Sequence, residues 1–149
     1  MSLEQEVELI RQFPIFSKIQ PAKQKLLCFS SDRVIFEAGQ VMFRAGDAGD
    51  ACYIVIDGRI QITVDTPKGP VVVNTLGRNE IIGEIALFGD VPRTATATAV
   101  TRLDTLRISK DLFYSVIREN PDAALELIRI LASRLANTTA QLTKSRTGG

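Results

Sequence analysis

The sequence predicts a mainly β fold, a sandwich or barrel, flanked by helices. Three observations carry this. Between positions 33 and 108, glycines recur at 39, 46, 49, 58, 69, 77, 83 and 89, separating short runs rich in Val, Ile, Thr and Phe. Many short strands with frequent turns build a sandwich or barrel. On both sides of this stretch, apolar residues return at helical spacing. The length, 149 residues with 45% apolar side chains, suits one compact domain with one core.

The elements follow in order. Ser2 and Gln5 form a capping-box pattern. Leu3, Val7 and Ile10 then share a face, with Glu4, Glu6 and Glu8 outside it, and Pro14 closes this first helix. A second short helix is expected over 21–29, with Pro21 in its first turn. Strands are expected over 34–36, 40–44, 52–56, 60–64, 71–76, 95–100 and 103–108, and residues 61–65 alternate with period 2. Asp57-Gly58 reads as a two-residue hairpin turn, and Pro67-Lys68-Gly69 as a second turn.

Helical spacing resumes at 110–119, with Leu112, Phe113, Val116 and Ile117 as the apolar face. Asn120 is placed to cap a longer helix whose first residue is Pro121. Leu125, Ile128, Ala132, Leu135, Thr139 and Leu142 recur in steps of three and four, as a coiled-coil seam does. Leu127, Ile130 and Leu131 add apolar surface beside that seam. Such a helix can face its own domain and a second copy at once; packing wholly within its own domain is the alternative. The expected organisation is a single domain over 1–149: helical to about 30, strands over about 31–108, helices over about 109–143.

Composition excludes several functions. With 18 Lys+Arg against 17 Asp+Glu, the formal charge is +1, which argues against a polyanion-seeking protein. The absence of His removes His-based general catalysis, a Ser-His-Asp triad and His-Cys zinc sites, and no metal ligand set is expected. The two cysteines, Cys28 and Cys52, are too few for a disulfide scaffold or a four-Cys metal site. Each sits among apolar neighbours, as a buried thiol of a reducing compartment would. No apolar run reaches the roughly 18 residues of a membrane span and no signal pattern opens the chain. The expected location is therefore the cytoplasm, with no membrane partner.

The chemistry concentrates in residues 82–95, which read Ile-Gly-Glu-Ile-Ala-Leu-Phe-Gly-Asp-Val-Pro-Arg-Thr-Ala. Gly83 opens a short apolar segment, where a missing side chain lets the backbone approach a ligand. Amides at the start of a helical turn bind anions. Arg93 follows Gly83 by ten residues, and its planar fork matches a phosphate in bidentate fashion. Glu84 would repel a phosphate unless it met donor hydroxyls such as those of a ribose. Amides, a guanidinium and a carboxylate together suit a phosphorylated sugar or nucleotide. Taken alone, Glu84 and Arg93 could equally be an ordinary solvated pair.

This stretch resembles the phosphate-binding cassette of cyclic nucleotide-binding domains, in which Gly-Glu-hydrophobic-Ala-Leu is followed by Pro-Arg-Thr-Ala. Residues 38–50 resemble the same family's glycine-punctuated first strands, and 53–58 its central hairpin. The likeness runs from about 15 to 142. It implies an eight-stranded β-roll (a double-stranded β-helix of the jelly-roll kind) with N-terminal helices and a long C-terminal helix. It implies no catalysis, and a cyclic mononucleotide, cAMP or cGMP, as ligand. By the resemblance, Glu84 would bind the ribose 2′-hydroxyl and Arg93 the cyclic phosphate. The amides of Ile85, Ala86 and Thr94 or Ala95 would hold the exocyclic oxygens, Gly83 would allow close approach, and Val73 and Leu76 would touch the base or sugar. Binding would reposition the C-terminal helix, by no more than the ligand's differential affinity for its two positions.

Thr94 does not decide between the purines. Residues 120–122 and 133–139 resemble the dimer helix of catabolite-activator-type regulators, in which two adjacent hydroxyl residues contact adenine, one from each subunit. Thr138 and Thr139 match those places, which favours cAMP and a homodimer through this helix. No helix-turn-helix follows before Gly149, and Lys144 and Arg146 alone make no DNA-binding face. Two expectations stand: a regulatory nucleotide-binding module, alone or within a longer signalling protein, or the sensor half of a DNA-binding regulator. No nucleic acid is expected to bind this chain by itself.

Overall fold

The structure is a computed structural model and describes residues 2–83 and 92–148, with the side chains of 141, 142 and 144–148 left aside. Helix α1 (Leu3–Ile10) starts at the expected capping box, with the Ser2 hydroxyl accepting from the Gln5 amide and the Gln5 side chain accepting from the Ser2 amide. A single 3-10 turn (Phe16–Lys18) leads to α2 (Pro21–Ser30). Eight strands follow among the described residues: β1 (Asp32–Phe36), β2 (Val41–Phe43), β3 (Ala51–Asp57), β4 (Ile60–Thr66), β5 (Gly69–Leu76), β6 (Ile81–Ile82), β7 (Thr96–Ala99) and β8 (Leu103–Ser109). Helices α3 (Lys110–Glu119) and α4 (Pro121–Gly148) end the chain. The Asn120 side chain donates to the Val116 carbonyl at 2.7 Å, so it closes α3 directly before Pro121 opens α4.

The strands form two four-stranded antiparallel sheets, ordered β1-β8-β3-β6 and β2-β7-β4-β5. This is the expected mainly β roll with flanking helices. The Pro67-Lys68 turn joins β4 to β5, with Thr66 opposite Gly69. Asp57-Gly58, by contrast, does not close a hairpin. β3 pairs with β6 and β8, whereas β4 pairs with β5 and β7, so this turn is a corner between the two sheets. Gly58 has φ of 106°, and a Cβ there would lie 2.5 Å from the Arg102 carbonyl oxygen. A tight hairpin and a tight corner both need positive φ, so the local signal cannot tell them apart.

β3 and β8 form a wall between two apolar clusters. Cys52, Ile54, Leu106 and Ile108 face the helices, packing with Ile10, Phe16, Leu27, Phe113 and Leu127. Val55 and Leu103 face the inside of the roll with Phe36, Ile60, Leu76, Ile82, Ala97 and Ala99. Burial on both faces explains why 51–56 reads as a nearly unbroken apolar run. β6 divides in the same way, with Ile81 in the helical cluster and Ile82 in the roll. At two residues, it is too short to show a period and was not among the expected strands.

Both cysteines are buried thiols outside any disulfide. Burial, aided by the negative charge of Glu6, pushes the Cys28 thiol up to about 12. Among the described residues, no helix is long and apolar enough to cross a membrane. Nor does any group of three or more His, Cys, Asp or Glu among them stand ready to hold a metal.

Candidate functional site

Arg93 is the organising residue. Its backbone is fixed by the β2–β3 loop: the Gly46 amide donates to the Arg93 carbonyl at 2.8 Å, and the Arg93 amide donates to the Asp47 carbonyl at 2.7 Å. That loop is itself tied, because Asp47 Oδ2 accepts from the Arg44 amide and Gly46 adopts φ of 94°. The side chain turns inward and is 5% exposed. Its Nη1 donates to the Gly83 carbonyl at 2.7 Å and its Nη2 to the Ala51 carbonyl at 2.6 Å. The guanidinium carbon lies 4.2 Å from the centroid of the Phe43 ring, a cation–π contact.

Gly83 shows why this position lacks a side chain. Its φ is 89°, and a Cβ there would sit 2.5 Å from Arg93 Nη1. The close approach expected at Gly83 is, in this structure, the approach of the guanidinium. The result is a positive centre whose place is set by two carbonyls, a ring face and two main-chain bonds. Both Nη atoms already donate to carbonyls; a planar guanidinium is also the group that pairs with an oxyanion in bidentate fashion. Thr94 beside it is exposed and Ala95 half-buried. Glu84, Ile85 and Ala86 lie outside the described residues.

Val73 and Leu76 are both buried, at 2% and 4% exposure. Residues three apart on a regular strand face opposite ways. The β4–β5 ladder breaks register at this point, with Ile62 opposite Asn74 and Thr63 opposite Val72. Val73 is therefore the extra residue of a bulge, which lets both side chains turn inward. Leu76 packs in the roll interior, whereas Val73 lies outside both core clusters of described residues.

α4 packs along β5. Its first half is anchored by Ala123 and Leu127, with Ile130 and Leu131 packed against the same cluster. Farther on, Arg134 Nη2 donates to the Ile81 carbonyl and Asn137 Nδ2 to Asn74 Oδ1 at 3.0 Å. Thr138, next along, is half-buried, and Thr139 is exposed. The seam residues Leu125, Ile128 and Leu135 are 55%, 61% and 69% exposed. Adjacent helical residues differ by about 100° in direction, so Thr139 stands on the exposed seam while Thr138 turns partly toward the roll.

The structure thus brings Gly83 and Arg93 into contact and places Thr138 beside the Asn137–Asn74 bond. Sequence reasoning missed Phe43, Ala51, Asn74, Arg134 and Asn137. Ala51 acts through its carbonyl, which leaves no mark on the sequence. Phe43 reads only as an ordinary apolar strand residue.

Known proteins give the same outline. The family model for the cyclic nucleotide-binding domain matches residues 33–120. A CRP-like cAMP-activated global transcriptional regulator of Mycobacterium tuberculosis is 30% identical over 136 residues, 91% of this chain and 61% of the relative. The chain thus spans under two thirds of that relative's length. A Neurospora crassa lysophospholipase is 32% identical over 108 residues, 72% of this chain and 7% of the enzyme. Among solved structures, the sensor domain of the Pseudomonas aeruginosa transcriptional regulator DNR superposes with a TM-score of 0.79 at 27% identity, covering 93% of this chain and 94% of that one. With the matched residues spanning more than half its length and the fixed Arg93–Gly83 pair among them, the chain belongs to the cyclic nucleotide-binding domain family.

Proposed function

We propose that this chain is a cyclic nucleotide sensor, with cAMP preferred to cGMP, that converts binding into a change in the position of α4. The observation that carries the reading is Arg93. A guanidinium held at 5% exposure by main-chain carbonyls, away from solvent, supports a role toward a buried phosphodiester. In this reading Arg93 pairs with the cyclic phosphate, and the amides of Ile85, Ala86 and Thr94 or Ala95 take its exocyclic oxygens. Glu84 binds the ribose 2′-hydroxyl, Gly83 makes room, and Val73 and Leu76 supply apolar contact. The cAMP-activated relative supports the choice of purine.

The domain senses and does not catalyse; a similar segment making up 7% of a lysophospholipase fits a regulatory part of a larger enzyme. It needs no cofactor, works in the cytoplasm, where its two thiols stay out of disulfides, and touches neither membrane nor nucleic acid by itself. The exposed seam supports a homodimer along α4. In that dimer Thr138 would meet the adenine of its own subunit and Thr139 that of the second copy. The alternative, the sensor half of a DNA-binding regulator, is favoured by two likenesses to transcriptional regulators.

Thermal-shift titration with cAMP and cGMP side by side tests the reading. A ligand that binds only the folded state raises the melting temperature with concentration, by about 2.7 kcal/mol of stability at a hundred times Kd. The expected result is a rise with both purines and a larger one with cAMP. A flat response to both would remove the sensor reading, and a larger rise with cGMP would reverse the preference.

A further inference from the structure

Arg134 and Asn137 lie three positions apart on α4, so they share a face. Each reaches a different strand of the roll. Arg134 donates to the Ile81 carbonyl on β6, and Asn137 to the Asn74 side chain on β5. These strands are the two arms of the turn at residues 77–80. β6 is two residues long and pairs with β3 at Tyr53 and Ile54; just before it, the Glu80 carbonyl accepts from the Val55 amide at 2.9 Å and the Asn79 amide donates to the Val55 carbonyl at 3.0 Å. Directly after β6 comes Gly83, whose carbonyl receives Arg93 Nη1. Only Ile82 therefore separates the carbonyl that α4 contacts from the carbonyl that the buried guanidinium contacts. A bond from a charged donor is directional and stronger than a neutral one, so it can set where a two-residue strand sits.

We propose that Arg134 and Asn137 are positioning residues: they clamp the second half of α4 to both arms of this turn, so that α4 and the Gly83 carbonyl are displaced together. The proposal rests on the reading of Arg93 and Gly83 as the nucleotide site and names the protein's own link between that site and the helix. The apolar anchorage of α4 ends near Leu131, and Leu135 is already exposed. From there the clamp holds the helix. Thr138 follows Asn137 directly, so the clamp also fixes how near Thr138 stands to the roll.

Hydrogen exchange of the full 149-residue chain, without nucleotide, tests the clamp. In Arg134→Ala, the amides of 134–140 and of 81–83 should exchange about tenfold faster together, on the scale of one lost charged hydrogen bond. Amides of β8 should keep their rate. Asn74→Ala removes the acceptor from the strand side, leaves α4 unaltered, and should loosen the same two segments to a smaller extent. It also keeps the test open should Arg134→Ala fail to fold. Arg134→Lys keeps one charged donor and should restore most protection at 81–83, which a purely space-filling role would not require. Faster exchange confined to α4, with 81–83 unchanged, overturns the proposal, as do unchanged rates in both variants. Because no nucleotide is present, a chain that ignored both purines in the thermal titration could still show the clamp. The two failures are therefore distinguishable.

Discussion

The two halves of α4 are held to the roll by different physics. Ala123 and Leu127 sit in the helical core beside Phe113. Burial of this kind is non-directional and scales with area, at about 25 cal/mol per Å². The second half is tied by Arg134 and Asn137, whose hydrogen bonds each contribute only about 1 kcal/mol net, or somewhat more for the charged donor. The first attachment resists sliding because it fills space. The second depends on geometry and is lost when a carbonyl shifts. The proposed coupling of binding to α4 requires both a fixed root and an adjustable end, and here they occupy successive stretches of one element.

Two substitutions sharpen this contrast. Leu127→Ala should cost about 2–5 kcal/mol, the range for truncating a buried leucine, read as a lower denaturation midpoint with an unchanged slope. A loss below about 1 kcal/mol would mean that the first half is not an anchor. Leu135→Glu lies on the same helix but at 69% exposure, and it should leave the stability of the roll within about 0.5 kcal/mol. Its effect should be on assembly: sedimentation should move from dimer to monomer because a charge enters the seam. An unchanged sedimentation coefficient would show that the seam does not join copies.

How far the sequence could be read follows from the range of each signal. The capping box at Ser2, the helix over 110–119 and the Pro67-Lys68 turn are local, and they were legible because residues within four positions decide them. The seam was legible too, because periodicity reports a face; which face would be exposed needed the neighbours, and the structure leaves Leu125, Ile128 and Leu135 open. The corner at Asp57-Gly58 was misread because partner choice is a long-range property: β3 lies between two cores and takes β6 and β8 instead of β4. At the site, Gly83 and Arg93 could be named from spacing and family pattern. The carbonyls of Ala51 and Ile81 could not, since a main-chain oxygen is the same at every residue. The Asn74–Asn137 pair spans 63 positions and joins two residue types that elsewhere mark turns and caps.

In the proposed site, the buried guanidinium of Arg93 receives the phosphodiester of a cyclic nucleotide. Calorimetric titration of cAMP into the wild-type chain and into Arg93→Ala, each first shown to be folded by circular dichroism, tests this most directly. Loss of the guanidinium should weaken binding by about 2–5 kcal/mol, the scale for removing one partner of a buried charge pair, a change in Kd of thirtyfold or more. Equal dissociation constants in the two proteins would remove Arg93 from the phosphate site.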